Sequence, residues 1–247
     1  MKVKLTVSYL LAFLSLTFVI NELHSWIHSI VAEWICDCWG TQGFEKWSVC
    51  PHCDIAENFL GIAWLAAPLL NYLIILAGWA LMDRRNSIEK KSIGFALFFA
   101  SVPLGRLFAV FTKGDEPTGL KEIFSPSAND TLINIILPVI IVLLVLPPLM
   151  RSMNVLKEIK QRVILVIAFA LIPFLVIHFG VNGVMNNLLV KKPLQDSQTT
   201  GFSETIVIWG IFWLFVFLLT FRKLPKLLSK DHQRKHRRRH RKVVTES

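Results

Sequence analysis

Six blocks of roughly twenty apolar residues, separated by short polar segments, limit what this chain can fold into before any motif is read. They lie near residues 5–20, 59–82, 93–112, 132–150, 163–189 and 206–221. A block that is apolar all round has no face to offer water, and in lipid it satisfies its own backbone as a helix. Hydrophobic residues make up 53% of the chain and charged residues 18%, and the apolar ones cluster in these blocks rather than alternating at strand period. The expected fold is an all-α, polytopic membrane helix bundle of about six transmembrane helices, covering residues 1–221. No internal repeat is found, which speaks against a transporter built from repeats. The first apolar stretch continues past Ile20, because Trp26, Ile27, Ile30, Val31, Trp34 and Ile35 extend a helical stripe.

The net charge of +10 would suit a nucleic-acid binder, but its distribution suits a membrane anchor. Eleven of the 27 Lys and Arg lie between Arg222 and Lys242, directly after the last apolar block. A basic run there is expected to face anionic lipid as a cytoplasmic tail over 222–247, in preference to RNA or a ribosome. Lys2 and Lys4 precede the first span, Arg84, Arg85, Lys90 and Lys91 follow the second, and Arg151, Lys157, Lys160 and Arg162 follow the fourth. The alternate segments balance their few cations with acids, Lys191 and Lys192 being a mild exception. The positive-inside rule therefore puts both ends in the cytoplasm and residues 23–58 outside, as a small cap. The start looks like a signal peptide, but the polar, bulky Asn21-Glu22-Leu23-His24 offers no cleavage site, so an uncleaved first helix is expected. Compact loops favour a multi-pass protein of the bacterial inner membrane. Pro68, Pro103, Pro138, Pro147, Pro148 and Pro173 sit in or beside spans, either as ordinary membrane-helix usage or as kinks that open a cavity.

Polar residues inside such blocks need partners, and they gather at one depth. Asn21, His24, Ser25 and His28 share a face near the outer end of the first helix, with Glu22 on its flank. His24 and His28 are one turn apart, so both imidazoles can reach one metal ion; the alternative is an interfacial pair bonded to loops or water. A carboxylate on that turn would suit a general base. Asn71 lies mid-span in the second block, and Arg106 in the outer half of the third either snorkels or pairs with Glu22 or Asp115. Asp115 and Glu116 follow at the outer edge, and His178 and Asn182 lie at similar depth in the fifth span. Asp115 and His178 are the candidates to complete a metal site with the two histidines.

Four cysteines, Cys36, Cys38, Cys50 and Cys53, fall within the cap as C-x-C-x11-C-x2-C. Outside the cytoplasm they suit two disulfides; four thiolates also suit a closed zinc site. The Cys50-Pro-His-Cys53 run is similar to a redox-active dithiol, although no strand-helix-strand pattern surrounds it.

Taken in order, three segments from Leu11 to Glu116 resemble the site-2 protease family of intramembrane zinc metallopeptidases. That family carries H-E-x-x-H on a transmembrane helix, then G-P-x-x-N, then an aspartate ligand near N-P and D-G. Asn21-Glu22-Leu23-His24-Ser25 resembles the first, with Glu22 at the base position and the histidines displaced to His24 and His28. Ala67-Pro68-Leu69-Leu70-Asn71 resembles the second, and Val102-Pro103-Leu104-Gly105-Arg106 with Gly114-Asp115-Glu116 is a loose counterpart of the third. The resemblance implies zinc held by His24, His28 and Asp115 or His178, water activated by Glu22, a peptide carbonyl oriented by Asn71, and a membrane-protein or peptide substrate. The competing expectations are a non-catalytic scaffold that binds another membrane protein, with Arg106 and Glu22 as a structural pair, and a membrane thiol-disulfide oxidoreductase using Cys50 and Cys53.

Overall fold

The computed structural model describes residues 2–44, 47–53, 57–112, 114–124, 132–156, 159–185 and 204–229. Among these, six helical segments are long and apolar enough to cross a membrane: Val7–Cys36, Phe59–Leu81, Ile88–Phe111, Ile133–Val155, Arg162–Met185 and Glu204–Lys226. They coincide with the six apolar blocks, and the protein is an all-α bundle. The end of the expected fifth span (186–189), Lys191, Lys192 and most of the basic tail (230–247) lie outside the described residues.

The first helix, α1 (Val7–Cys36), runs 30 residues without a break. Ser15 and Thr17 do not interrupt it, because their hydroxyls donate back to the carbonyls of Ala12 and Phe13. It stops at Asp37, whose φ of 54° is left-handed and whose N–H bonds to the Glu33 carbonyl. Aspartate is one of the few residues that take this conformation cheaply. Residues 23–36 are therefore helix, and the cap expected over 23–58 is confined to the residues beyond Cys36.

The two chain ends meet. Strand β1 (Lys2–Val3) pairs antiparallel with β4 (Leu228–Ser229), beyond the last membrane helix. Ser92 secures this clasp, its hydroxyl donating to the Leu224 carbonyl at 2.6 Å and accepting from the Leu228 N–H at 3.0 Å. The neighbouring core is aromatic, with Phe13, Phe95, Phe99 and Phe169 in edge or tilted contact. At the opposite end, strands β2 (Thr41–Gln42) and β3 (Trp47–Ser48) form a hairpin. Two nested disulfides, Cys36–Cys53 and Cys38–Cys50, fasten it to the end of α1.

Helix α2 (Glu57–Leu81) is the central post. It meets α3 (Ile88–Ala100) at Gly78 and Gly94, where a Cβ on Gly94 would fall 2.6 Å from the Gly78 carbonyl. It meets α5 (Asp115–Phe124) at Gly61 and Gly119, where a Cβ on Gly61 would fall 2.5 Å from the Gly119 carbonyl. Small residues let backbones approach in the way membrane helices require. The third span breaks between α3 and α4 (Pro103–Phe111) at Val102, with φ of 49°. A β-branched residue in the left-handed region is strained by roughly 1–3 kcal/mol, and Pro103 starts the next helix at a position where its missing N–H costs nothing. Helix α6 (Leu137–Val155) follows a π-helical turn at Leu132–Ile136, and α7 (Ile159–Leu175) passes through Pro173 into a π-helical stretch, Val176–Met185. Helix α8 (Glu204–Thr220) closes the bundle against α1. Leu143, Ile164, Phe179, Ile208 and Leu219 point outward from these last helices, as a lipid-facing surface requires.

The tight α2–α5 crossing predicts that Gly119→Val displaces α5 and destabilises the protein by about 2 kcal/mol. Thermal unfolding of the full chain in detergent reads this as a lower midpoint, and an unchanged midpoint contradicts the crossing.

Candidate metal centre

Three side chains from two distant stretches converge at the capped end of the bundle. The ligand atoms of His24, His28 and Asp115 all lie within 4.8 Å of one another. His24 Nε2 is 3.2 Å from Asp115 Oδ2, and His28 Nε2 is 3.6 Å from the same oxygen. Tetrahedral zinc with bonds of about 2.1 Å spaces its ligand atoms about 3.4 Å apart. The two histidine-to-carboxylate separations, 3.2 and 3.6 Å, bracket that edge. The helical spacing of the histidines supplies the pair, and the Gly61–Gly119 crossing brings the first turn of α5 across to meet it.

The chemistry of His28 is the most constrained. Its ring is 2% exposed, and Nδ1 lies 2.7 Å from the Ala63 carbonyl oxygen. A carbonyl only accepts, so Nδ1 carries a proton and donates it to Ala63, and Nε2 is the ring nitrogen turned toward Asp115. Nε2 has no hydrogen-bond partner and lies 3.6 Å from Asp115 Oδ2. A buried ring nitrogen facing a carboxylate at this distance calls for a positive charge between them, a proton or a metal ion. An Nδ1–H donated to a backbone carbonyl is also the usual means of orienting a metal-bound histidine. His24 has no such support, its Nδ1 being without a hydrogen-bond partner. Its ring stands edge-on to that of His28, at 84° and 4.9 Å.

The surroundings are charged on one side and aromatic on the other. Arg106 Nη1 donates to Asp115 Oδ2 at 3.3 Å and to Glu116 Oε1 at 3.5 Å, and Tyr72 Oη donates to that Glu116 oxygen at 2.9 Å. Burial opposes charge on Asp115, but the His24 hydrogen bond and the Arg106 charge outweigh it and hold its carboxyl well below the ordinary carboxylate range. Opposite, Trp47 of the cap stacks on His28 at 5.0 Å and 11°, and it also touches Trp64 of α2. Ser29 donates to Gln42 at 2.7 Å, so the hairpin is tied to α1 beside the histidines as well as through the disulfides.

The three ligand residues line a cavity of about 250 Å³, roofed by Gln42, Phe44 and Trp47. Asn21, Ser25, Asn71, Arg106 and His178 share the lining. The break at Val102, before Pro103, borders this cavity, and so does Phe174, next to Pro173.

Not every expected residue joins the centre. Glu22 is buried, yet it does not line the cavity and lies against Gly210 of α8. It is two residues from His24, and a step of 200° puts it on the far side of α1. Of the two partners expected for Arg106, Glu22 and Asp115, it is Asp115 that it meets, together with Glu116. His178 lines the cavity but stands outside the three-ligand group, stacked on Phe174 and edge-on to Phe108 and Phe179. Asn71 is buried with its Oδ1 unbonded in the cavity wall. All four cysteines are paired as disulfides, which leaves no thiolate for zinc or for a reduced dithiol. Tyr72, Gln42, Ser29 and Trp47 are additions that no sequence signal pointed to, since each matters only through contacts made in the folded bundle. No protein-family model, curated protein or solved structure matches this chain.

The disulfide pairing predicts that the full chain, unfolded without reductant, takes up no alkylating agent. Peptide mapping is expected to recover Cys36 linked to Cys53 and Cys38 linked to Cys50. Alkylation of all four cysteines before reduction contradicts the pairing.

Proposed function

We propose that this chain is a zinc-binding, metallopeptidase-like protein of a membrane, with His24, His28 and Asp115 as the metal ligands. The observation that carries the reading is the buried Nε2 of His28, without a hydrogen-bond partner, on a ring fixed by Ala63 and turned toward the Asp115 carboxylate. Two imidazoles and a carboxylate form a donor set suited to zinc, and three protein ligands beside a cavity leave a coordination position open, as catalytic zinc sites do. The same ligand types are those implied by the resemblance to the site-2 protease family. Zinc in this position supplies Lewis acidity, polarising a carbonyl or activating water.

The chain's own groups then divide the remaining work. Asn71 offers a cavity-wall amide to orient a peptide group, and the Arg106 guanidinium borders the same space. The capped end that holds the centre is assigned to the outer side, because the basic segments gather at the end where the chain termini meet. The substrate class that fits this reading is a peptide segment entering from the outer half of the bilayer.

One observation favours a second reading, in which the same metal is structural and the protein is a scaffold for another membrane protein. Among the described residues, Asp115 is the only carboxylate that lines the cavity, so no separate carboxylate stands ready as a proton acceptor. The two readings share the metal and differ in turnover.

Zinc content of the purified full-length protein tests the shared part. About one zinc per chain is expected, lost in His28→Ala and in Asp115→Asn, and retained in Glu22→Gln. Equal metal content in wild type and both ligand variants removes the centre. Cleavage of a reconstituted transmembrane peptide that stops on chelation and returns with zinc selects the peptidase over the scaffold.

A further inference from the structure

We propose that Arg106 is a built-in substitute for the metal ion: it neutralises Asp115 in the metal-free protein and transfers to Glu116 when a divalent cation binds. This rests on the metal centre proposed above and adds how its affinity is set.

The geometry that points to it is the crowding at one oxygen. Asp115 Oδ2 is approached by His24 at 3.2 Å, His28 at 3.6 Å and Arg106 at 3.3 Å. A cation seated among the three ligands binds the oxygen that the guanidinium already holds. A divalent ion and a guanidinium on one buried carboxylate oxygen repel each other, and in a low-dielectric site that repulsion is large. That repulsion favours a metal-bound state in which Arg106 has moved off Asp115.

A place for it to move is present. Glu116 is 2% exposed, and its Oε1 lies 3.5 Å from the same Arg106 nitrogen. Its other oxygen, Oε2, is buried and receives no hydrogen bond. A guanidinium has five donors in a fixed fork and pairs best with both oxygens of one carboxylate. A small rotation of the Arg106 side chain, from straddling two acids to a two-bond pairing with Glu116, fills the unbonded acceptor and releases Asp115. Tyr72, donating to Glu116 Oε1 at 2.9 Å, holds the receiving carboxylate in place.

The charge count agrees. Two carboxylates and one guanidinium leave one net negative charge with neutral histidines, and a divalent ion turns this into one net positive charge. Glu116 keeps that surplus paired, since without it Arg106 would be left as a buried, unpartnered cation. Without Arg106, a metal-free Asp115 would lose its charged partner. The arrangement keeps the outer end of the bundle folded in both states and weakens metal binding by the work of displacing an arginine.

This assigns Arg106 a sign opposite to that of an ordinary positioning residue. Zinc affinity is measured on the full-length protein in detergent by competition with a chromogenic chelator, for wild type, Arg106→Gln, Glu116→Gln and His28→Ala. Arg106→Gln is expected to bind zinc about tenfold or more tightly than wild type, and Glu116→Gln about tenfold or more weakly. Weaker binding in Arg106→Gln, with zinc still bound by wild type and lost in His28→Ala, keeps the centre and overturns the exchange. No specific zinc binding by wild type removes the centre itself and the exchange with it. Should Arg106→Gln fail to fold, the wild-type protein decides: crystals grown with and without zinc are expected to show Arg106 on Glu116 alone in the first and on Asp115 in the second. Arg106 unmoved in the zinc-loaded crystal overturns the proposal.

Discussion

One carboxylate oxygen, Asp115 Oδ2, joins the parts of this molecule that chain order keeps apart. It lies within 3.6 Å of groups from α1 and α4, while its own helix, α5, rests on α2 through paired glycines. An acidic residue is costly to bury, and the His24 hydrogen bond and the Arg106 charge offset that cost for Asp115. The close approach at Gly61 and Gly119, the break at Val102 that starts α4 on a new course, and the disulfide-fastened cap all bear on that one position. Remove the carboxylate, and the two histidines and the arginine lose their common partner.

The bundle is plain in the sequence because the physics behind it is coarse. Backbone in lipid has to be helical, so apolar blocks of sufficient length report spans, and all six reappear among the described residues. The helical period also pairs His24 with His28, and their common depth with Asp115 and Arg106 points to a site at the outer end. Those inferences need only local geometry and a rough membrane coordinate.

The features hidden from the sequence depend on rotation about helix axes and on the third dimension. Glu22 shares the depth of His24 but faces α8, and a depth argument cannot separate the two. His178 reaches the cavity, yet its ring packs among phenylalanines rather than beside the other histidines. The helical stripe from Trp26 to Ile35 already points to a first helix that outlasts its apolar block, and α1 does run to Cys36; what the sequence leaves open is where the cap begins. The cysteine pattern alone is open between disulfides, metal and redox chemistry, and only the nested pairing in space separates them. Tyr72 and Glu116 gain their meaning from Arg106, which lies on another helix from each of them.

The central claim is that His24, His28 and Asp115 hold a zinc ion without any contribution from the cysteines. Zinc X-ray absorption on the intact, zinc-loaded protein tests it directly. A first shell of nitrogen and oxygen alone at about 2.0–2.1 Å, with the outer-shell pattern of two imidazoles, is the predicted spectrum. Sulfur in the first shell at about 2.3 Å, or a shell without imidazole, contradicts it.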